Sequence, residues 1–148
     1  MAFLALIAAL APSPGRASSN DAVMLGPMFH YNFAWGHEGF WSLGLEGSYW
    51  HEPFFPFGMD VGIEYDMRGR TRLYTEAEAS FIFAGGALGP CLEFGGGTIR
   101  VGLQGSAWAN ALVGADFRAR ALWGGAPEFA PGYYVKLPIV RPDQISDL

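Results

Sequence analysis

Residues 59–68, MDVGIEYDMR, decide the fold, because apolar and polar residues alternate through the whole stretch. The side chains of a β-strand point in turn to two opposite faces, so a period of two predicts a strand with one apolar and one polar face. The apolar face would carry Met59, Val61, Ile63, Tyr65 and Met67, and the other face Asp60, Gly62, Glu64, Asp66 and Arg68.

The same alternation recurs along most of the chain. Glycine- and proline-containing turn signals separate the alternating stretches, and no helical period of comparable length is present. A chain of 148 residues suits one domain, so we predict a single all-β, antiparallel domain of about eight strands. The predicted strands are 22–35, 40–50, 59–68, 71–83, 87–94, 99–106, 111–121 and 132–139.

The charged residues of these strands are confined to one face. The chain has 9 basic and 14 acidic residues, and none of them falls on an apolar face. The net charge of −5 argues against general nucleic-acid binding, which usually needs a basic patch. Together with His30, the charged residues of the polar face are Glu46, Asp60, Glu64, Asp66, Arg68, Arg72, Glu76, Glu78, Glu93, Arg100, Asp116, Arg118, Arg120 and Lys136.

Two architectures share this pattern. A soluble barrel or sandwich buries the apolar face, whereas an outer-membrane barrel turns it to lipid and fills its interior with the polar face. An eight-stranded barrel is too narrow inside for the aromatic residues of the apolar face, and glycines on the polar face leave room for Arg and Glu neighbours. We therefore predict an up-and-down β-barrel with a polar interior and an apolar exterior. Aromatic girdles at the two membrane interfaces would include Trp35, Trp41, Tyr49 and Trp123.

The amino-terminal segment is typical of a targeting sequence. Residues 1–11 are almost wholly apolar and Pro12 follows them. This run is too short to span a bilayer as a helix, but it fits a secretory signal peptide, with small residues placed for cleavage after Ala17. We predict a signal peptide over 1–17, a β-barrel domain over 18–140 and a polar C-terminal tail over 141–148. A buried amino-terminal helix is the alternative.

With this export signal, strand count, alternation and girdle, residues 22–140 resemble the small eight-stranded outer-membrane β-barrel proteins of Gram-negative bacteria. The resemblance implies an integral, porin-like protein of the cell outer membrane. Its expected partners are membrane lipid and the outer-membrane insertion machinery. No nucleic-acid partner is expected, and the sequence leaves open whether the barrel forms homo- or hetero-oligomers.

Candidate catalytic chemistry is sparse. Matching the faces of the first predicted hairpin sets His30 opposite Glu46, with Ser48 one diagonal step away, which is the grouping closest to Ser/His/acid chemistry. A resemblance to outer-membrane lipid-modifying enzymes would make these residues a lipid hydrolase site. The sequence favours an interior His–Glu pair instead, because no nucleophile-elbow motif surrounds Ser48. We therefore predict no catalytic residues and no enzymatic activity.

Candidate metal ligands are equally sparse. The dipeptides His37-Glu38 and His51-Glu52 lie at opposite ends of the second predicted strand, roughly 45 Å apart at about 3.3 Å per residue. They cannot share one ion, so the sequence predicts neither a metal site nor a cofactor. The single cysteine, Cys91, falls on a polar face and is predicted to be a buried structural thiol.

The polar face predicts a filled lumen. Its eight acids and six bases nearly balance, and buried charges must be paired to be tolerated. A turn near Gly69 would set Asp66 opposite Arg72 as one such pair. The predicted function is a non-enzymatic, structural role in membrane integrity, with any ligand-binding residue unknown. The alternatives are a narrow ion path, a soluble periplasmic barrel that binds an apolar ligand and, least favoured, the lipid hydrolase.

Overall fold

The computed structural model describes residues 21–51, 57–81, 83–109 and 112–139. The predicted signal peptide, residue 140 and the polar tail lie outside these residues. No helix in the described part of the chain is long and apolar enough to cross a bilayer. The strands are β1 (Asp21–Ala34), β2 (Phe40–His51), β3 (Phe57–Asp66), β4 (Thr71–Phe81), β5 (Ala84–Gly95), β6 (Thr98–Ala109), β7 (Val113–Leu122), β8 (Glu128–Val135) and β9 (Leu137–Pro138).

The strands close into a barrel. Each strand from β1 to β7 pairs antiparallel with the next in the chain, and β8 returns to pair with β1. The short β9 pairs with β1 in the same register as β8, so it continues the eighth strand beyond Lys136. The predicted eight-stranded antiparallel barrel is therefore confirmed.

The two ends of the barrel differ. We call the end that carries the turns 35–39, 67–70, 96–97 and 123–127 the turn end, and the opposite end, where residues 21 and 139 lie, the terminus end. Tight glycine turns close the hairpins at the turn end. Gly36, for example, has a φ of 76°, and the amide of His37 donates to the carbonyl of Ala34 at 3.1 Å.

The two faces of the sheet have opposite chemistry. Large apolar side chains point outward, and Leu43 and Leu103 keep 60% and 58% of their surface exposed. Charged side chains point inward, where Glu64 and Arg72 are fully buried. A water-soluble sheet protein buries its apolar face instead, so the predicted polar interior and apolar exterior are confirmed.

The register of the first hairpin differs from the prediction. His30 lies opposite Ser42, and Tyr31 lies opposite Trp41, whereas matching the faces had set His30 opposite Glu46. The reason is the turn, which centres on Gly36 with its positive φ rather than on residue 38. A hairpin register follows its turn geometry, so every pair shifts while each side chain stays on its predicted face.

Two further strands differ from the prediction. The last strand begins at Glu128 rather than at residue 132. The fifth strand, predicted over 87–94, runs over Ala84–Gly95 and pairs with β6 through Pro90 and Leu103. Proline lacks the amide donor, and no ladder pair with β4 forms at Pro90 or at its neighbour Gly89.

Several glycines of the inner face lie under bulky side chains. A Cβ at Gly62 would come within 2.1 Å of the Tyr74 ring, and one at Gly85 within 2.4 Å of the Trp108 ring. The sequence had predicted Arg and Glu as the neighbours that need this room. At these two positions the room is taken by aromatic rings of the inner face instead.

We expect Gly89→Ala to destabilise the barrel by about 1–3 kcal/mol, the usual cost of overpacking. An added Cβ would lie 1.8 Å from the carbonyl oxygen of Thr75 and 2.8 Å from the Cα of Glu76, so two backbones would have to separate. Urea unfolding in detergent measures the effect. Gly105→Ala is the matched control, because its Cβ would meet nothing closer than 3.5 Å. Equal stability of the two variants would contradict this close approach.

Candidate functional site

The charged residues of the lumen form the candidate site. Thirteen of the fifteen residues assigned to the interior network are buried, namely His30, Glu46, Asp60, Glu64, Asp66, Arg72, Glu76, Glu78, Glu93, Asp116, Arg118, Arg120 and Lys136. Arg100 is half-buried at the turn end. Arg68 is a correction, because it lies in the exposed β3–β4 turn instead of the lumen. There its guanidinium covers the Phe40 ring at 4.2 Å and donates to the carbonyl of Glu38.

Arg72 is the hub of the turn end. Its Nε donates to Glu93 at 2.8 Å and its Nη1 to Glu64 at 3.2 Å. Its Nη2 donates to Asp66 at 3.0 Å and to Glu128 at 3.1 Å. All these charge-assisted bonds join side chains that are buried in the lumen. A single guanidinium therefore holds four carboxylates together.

Three further arginines balance these carboxylates. Arg70 Nε donates to Asp66 at 2.9 Å, and Arg100 pairs with Glu93. Arg120 Nη2 donates to Glu64 at 2.5 Å. We call this group of four bases and four acids the arginine cluster: Arg70, Arg72, Arg100, Arg120, Glu64, Asp66, Glu93 and Glu128. Its charges cancel, as buried charges require.

His30 connects this cluster to the middle of the barrel. Its Nε2 lies 2.9 Å from Asp116 Oδ2, and its Nδ1 lies 3.7 Å from Glu64. Arg118 then links Asp116 to Glu46, with distances of 2.7 Å to each carboxylate. The charged groups therefore continue from the turn end to the centre, although the approach of His30 Nδ1 to Glu64 is longer than a hydrogen bond.

The structure does not assemble the residues considered for a lipid hydrolase. His30 lies opposite Ser42 on β2, and Ser48 lies six residues farther along that strand, roughly 20 Å away at about 3.3 Å per residue. The hydroxyl of Ser48 donates to Asp60 at 2.5 Å. A serine and a histidine this far apart cannot exchange a proton directly, because that exchange needs hydrogen-bond distance.

The terminus end of the lumen is richer in acids. Lys136 Nζ lies 2.7 Å from Glu46 and 3.5 Å from Asp60. Asp60 stands opposite Glu76 in the β3–β4 ladder, and Glu78 follows on the same face of β4. We call these four carboxylates, Glu46, Asp60, Glu76 and Glu78, the acidic cluster.

The lumen also holds apolar side chains, which the prediction of a polar interior did not include. Tyr74 lies at the centre, where its hydroxyl donates to Glu46 at 2.5 Å. The rings of Trp50 and Trp108 stack with centroids 5.4 Å apart. Cys91 is fully buried and not disulfide-bonded. The strand phase of Tyr74 and Trp108, on the polar side of the alternation, was the sequence signal for this placement.

Sequence reasoning missed two members of the arginine cluster. Glu128 was outside every predicted strand, because Pro127 and Pro131 interrupt the apolar alternation around it. Arg70 was close to the predicted hairpin but was not assigned to the interior, since it follows the turn glycine Gly69. The turn brings Arg70 back beside Asp66, four residues earlier, and the Arg70 amide donates to Asp66 Oδ1 at 3.0 Å.

The residues proposed for the aromatic girdles are unevenly distributed. Trp35 and Trp123 lie in turns of the turn end and are 92% and 86% exposed. Trp41 lies close to that end and stacks on Phe29 with centroids 4.8 Å apart. Tyr49 is half-buried near the terminus end. Three of the four residues therefore mark one end of the barrel.

Comparison with known proteins bears on the fold. No family model matches the chain, and no curated protein sequence matches it. Among solved structures, it is similar to one described as "De novo design of transmembrane beta-barrels", with a TM-score of 0.50 and 13% sequence identity. The likeness is one of fold, and both chains form closed β-barrels. The alignment covers 82% of this chain and all of that chain, so the likeness extends to the whole closed sheet.

Proposed function

We propose that the protein is a non-enzymatic, integral barrel of the bacterial outer membrane with a structural role. Its apolar exterior suits contact with lipid tails, because membrane barrels alternate apolar residues outward and polar residues inward. The signal-peptide pattern of residues 1–17 and the resemblance to small outer-membrane barrels support this location. Membrane lipid is then the principal partner, and the outer-membrane insertion machinery delivers the chain.

The observation that carries the structural role is that side chains bond across the full width of the lumen. In an eight-stranded barrel, strands four apart lie on opposite walls, as β3 and β7 do. Arg120 on β7 donates to Glu64 on β3 at 2.5 Å, and Arg72 on β4 donates to Glu128 on β8 at 3.1 Å. Cross-wall bonds of this kind obstruct solutes and brace the barrel, which favours a plug over a channel.

The filled lumen also weighs against a soluble barrel that carries an apolar ligand. Such a ligand needs an apolar cavity of about 300–1,000 Å³. The cavity inside the lumen, between Glu46, Asp60, Arg118 and Lys136, holds about 10 Å³. That volume suits a single water-sized group and is lined by charge. A larger hollow of about 380 Å³ is lined by the exposed rings of Phe29, Tyr31, Trp41 and Tyr133, so it lies on the outer wall and not in the lumen.

Gel mobility and bilayer recordings test this proposal together. We expect the folded chain to need detergent or lipid, to migrate differently on SDS gels before and after heating, and to give no steady conductance in planar bilayers. Recovery of the folded chain in the soluble fraction without detergent would contradict membrane insertion. A steady, single-size conductance would contradict the plugged lumen and favour the ion path.

A further inference from the structure

The acidic cluster carries more negative charge than the other described residues around it neutralise. Of the nearby cations, Lys136 contacts Glu46 and Asp60, and Arg118 is shared between Glu46 and Asp116. We propose that the cluster binds a hard divalent cation, Ca²⁺ or Mg²⁺, inside the barrel. This site is separate from the balanced arginine cluster and goes beyond a structural role.

The geometry suits a cation of this class. One carboxylate oxygen each from Glu46, Asp60 and Glu76 can be chosen so that all three lie within 4.8 Å of one another. Ca²⁺ and Mg²⁺ bind oxygen at about 2.0–2.6 Å, so ligands on opposite sides of the ion lie about 4–5 Å apart. The cavity of about 10 Å³ that Glu46 and Asp60 line gives the space of one ion or water.

The unpartnered oxygens of Glu78 and Glu76 are an independent indication. Glu78 is only 3% exposed, and within the described residues no amide, hydroxyl or basic group donates to its carboxylate, which lies against that of Asp60. Glu78 follows Glu76 on the inner face of β4, and Glu76 is the ladder partner of Asp60, so the Glu78 carboxylate lies beside the cluster. Glu76 Oε1 also lacks a hydrogen-bond donor. A buried carboxylate without a donor is costly, and a cation among these oxygens would remove that cost.

The ligand type decides which ions fit. The cluster offers carboxylate oxygens, the donors that Ca²⁺, Mg²⁺ and Mn²⁺ prefer, whereas thiolate and imidazole select softer metals. Lys136 remains beside Glu46 and Asp60 as a fixed positive charge. Glu76 and Glu78 have no ion-pair partner among residues 21–51, 57–81, 83–109 and 112–139. The site would therefore take its ion from the terminus end, where Glu78 lies.

Terbium luminescence tests the site directly. Tb³⁺ replaces Ca²⁺ in oxygen sites, and the rings of Trp108 and Tyr134 line the cavity closely enough to sensitise it. The full chain is refolded in an uncharged detergent with Tb³⁺ present and is then titrated with Ca²⁺ or Mg²⁺. We expect saturable luminescence that Ca²⁺ or Mg²⁺ displaces, and a higher urea midpoint when Ca²⁺ is present during refolding.

Three variants make the test specific. We expect Asp60→Asn and Glu76→Gln to weaken Tb³⁺ binding by roughly tenfold or more, whereas Glu38→Gln, in an exposed turn at the turn end, leaves it unchanged. The heat-dependent gel shift verifies that each variant is folded. Luminescence that fails to saturate in the folded wild-type chain, or equal binding by Asp60→Asn and Glu38→Gln, would overturn the proposal. If protons neutralise the acids instead, Ca²⁺ leaves the urea midpoint unchanged, which also overturns it.

Discussion

Replacing Arg72 with alanine is expected to lower the free energy of unfolding of the barrel by about 3–5 kcal/mol, the cost of breaking a buried ion pair from one side. The change removes the guanidinium that touches Glu64, Asp66, Glu93 and Glu128. Part of the charge stays paired through Arg70, Arg100 and Arg120, but the central donor to four carboxylates is lost. Urea unfolding in lipid vesicles, followed by tryptophan fluorescence, measures the loss.

Arg68→Ala is the matched control for this experiment. Arg68 carries the same charge only four residues earlier in the chain, but it lies exposed in the turn, where an isolated surface contact contributes little to stability. We expect the free energy of unfolding of the Arg68→Ala variant to stay within about 0.5 kcal/mol of the wild-type value. Equal stability of the two variants would mean that the arginine cluster does not hold the barrel together.

Leu103→Arg is expected to cost about 2–4 kcal/mol in a lipid bilayer, as arginine does on the lipid face near the midplane of a membrane barrel. Leu103 lies near the middle of β6, between Pro90 and Ala121 on the neighbouring strands, and is 58% exposed. On a protein surrounded by water, the same substitution would change stability by no more than about 0.5 kcal/mol. The measured change in stability therefore distinguishes an outer wall that faces lipid from one that faces water.

The control is an arginine placed at the end of the barrel instead of near the middle of a strand. Met67→Arg places the same charge in an exposed turn at the turn end, where the cost of arginine falls to about 0–1 kcal/mol. Unfolding of both variants in vesicles gives the difference between the two positions. If Leu103→Arg leaves the free energy of unfolding almost unchanged, the outer wall does not face lipid. That result would contradict the membrane location but not the barrel fold.

The faces of the strands could be predicted because they follow from local alternation. In β3, for example, Asp60 and Glu64 point inward and Ile63 points outward, as a period of two requires. No other part of the chain is needed for this inference. Tyr74 and Trp108 also fall on the inner side of the alternation, and the structure buries both.

The contacts inside the lumen could not be predicted, because they depend on register and strand tilt. Moving the first turn to Gly36 placed Ser42, rather than Glu46, opposite His30. In the second hairpin the predicted partner of Arg72 was Asp66, but Glu64 lies opposite Arg72. Asp66, two residues later on β3, still accepts a hydrogen bond from the Arg72 guanidinium. The contact of His30 with Asp116 joins strands that are not neighbours in the sheet. Alternation along one strand carries no information about such a contact.

The seam between β1 and β8 has a consequence for how the barrel enters a bilayer. Every other pairing joins strands that follow one another in the chain, so those seven hairpins can form locally. The seam joins the two ends of the chain, as in the pair of Met28 with Tyr134. An open sheet in hydrocarbon would leave two rows of amides unpaired at several kcal/mol each. Partly inserted intermediates are therefore strongly disfavoured, and insertion and closure are expected to occur as one cooperative event.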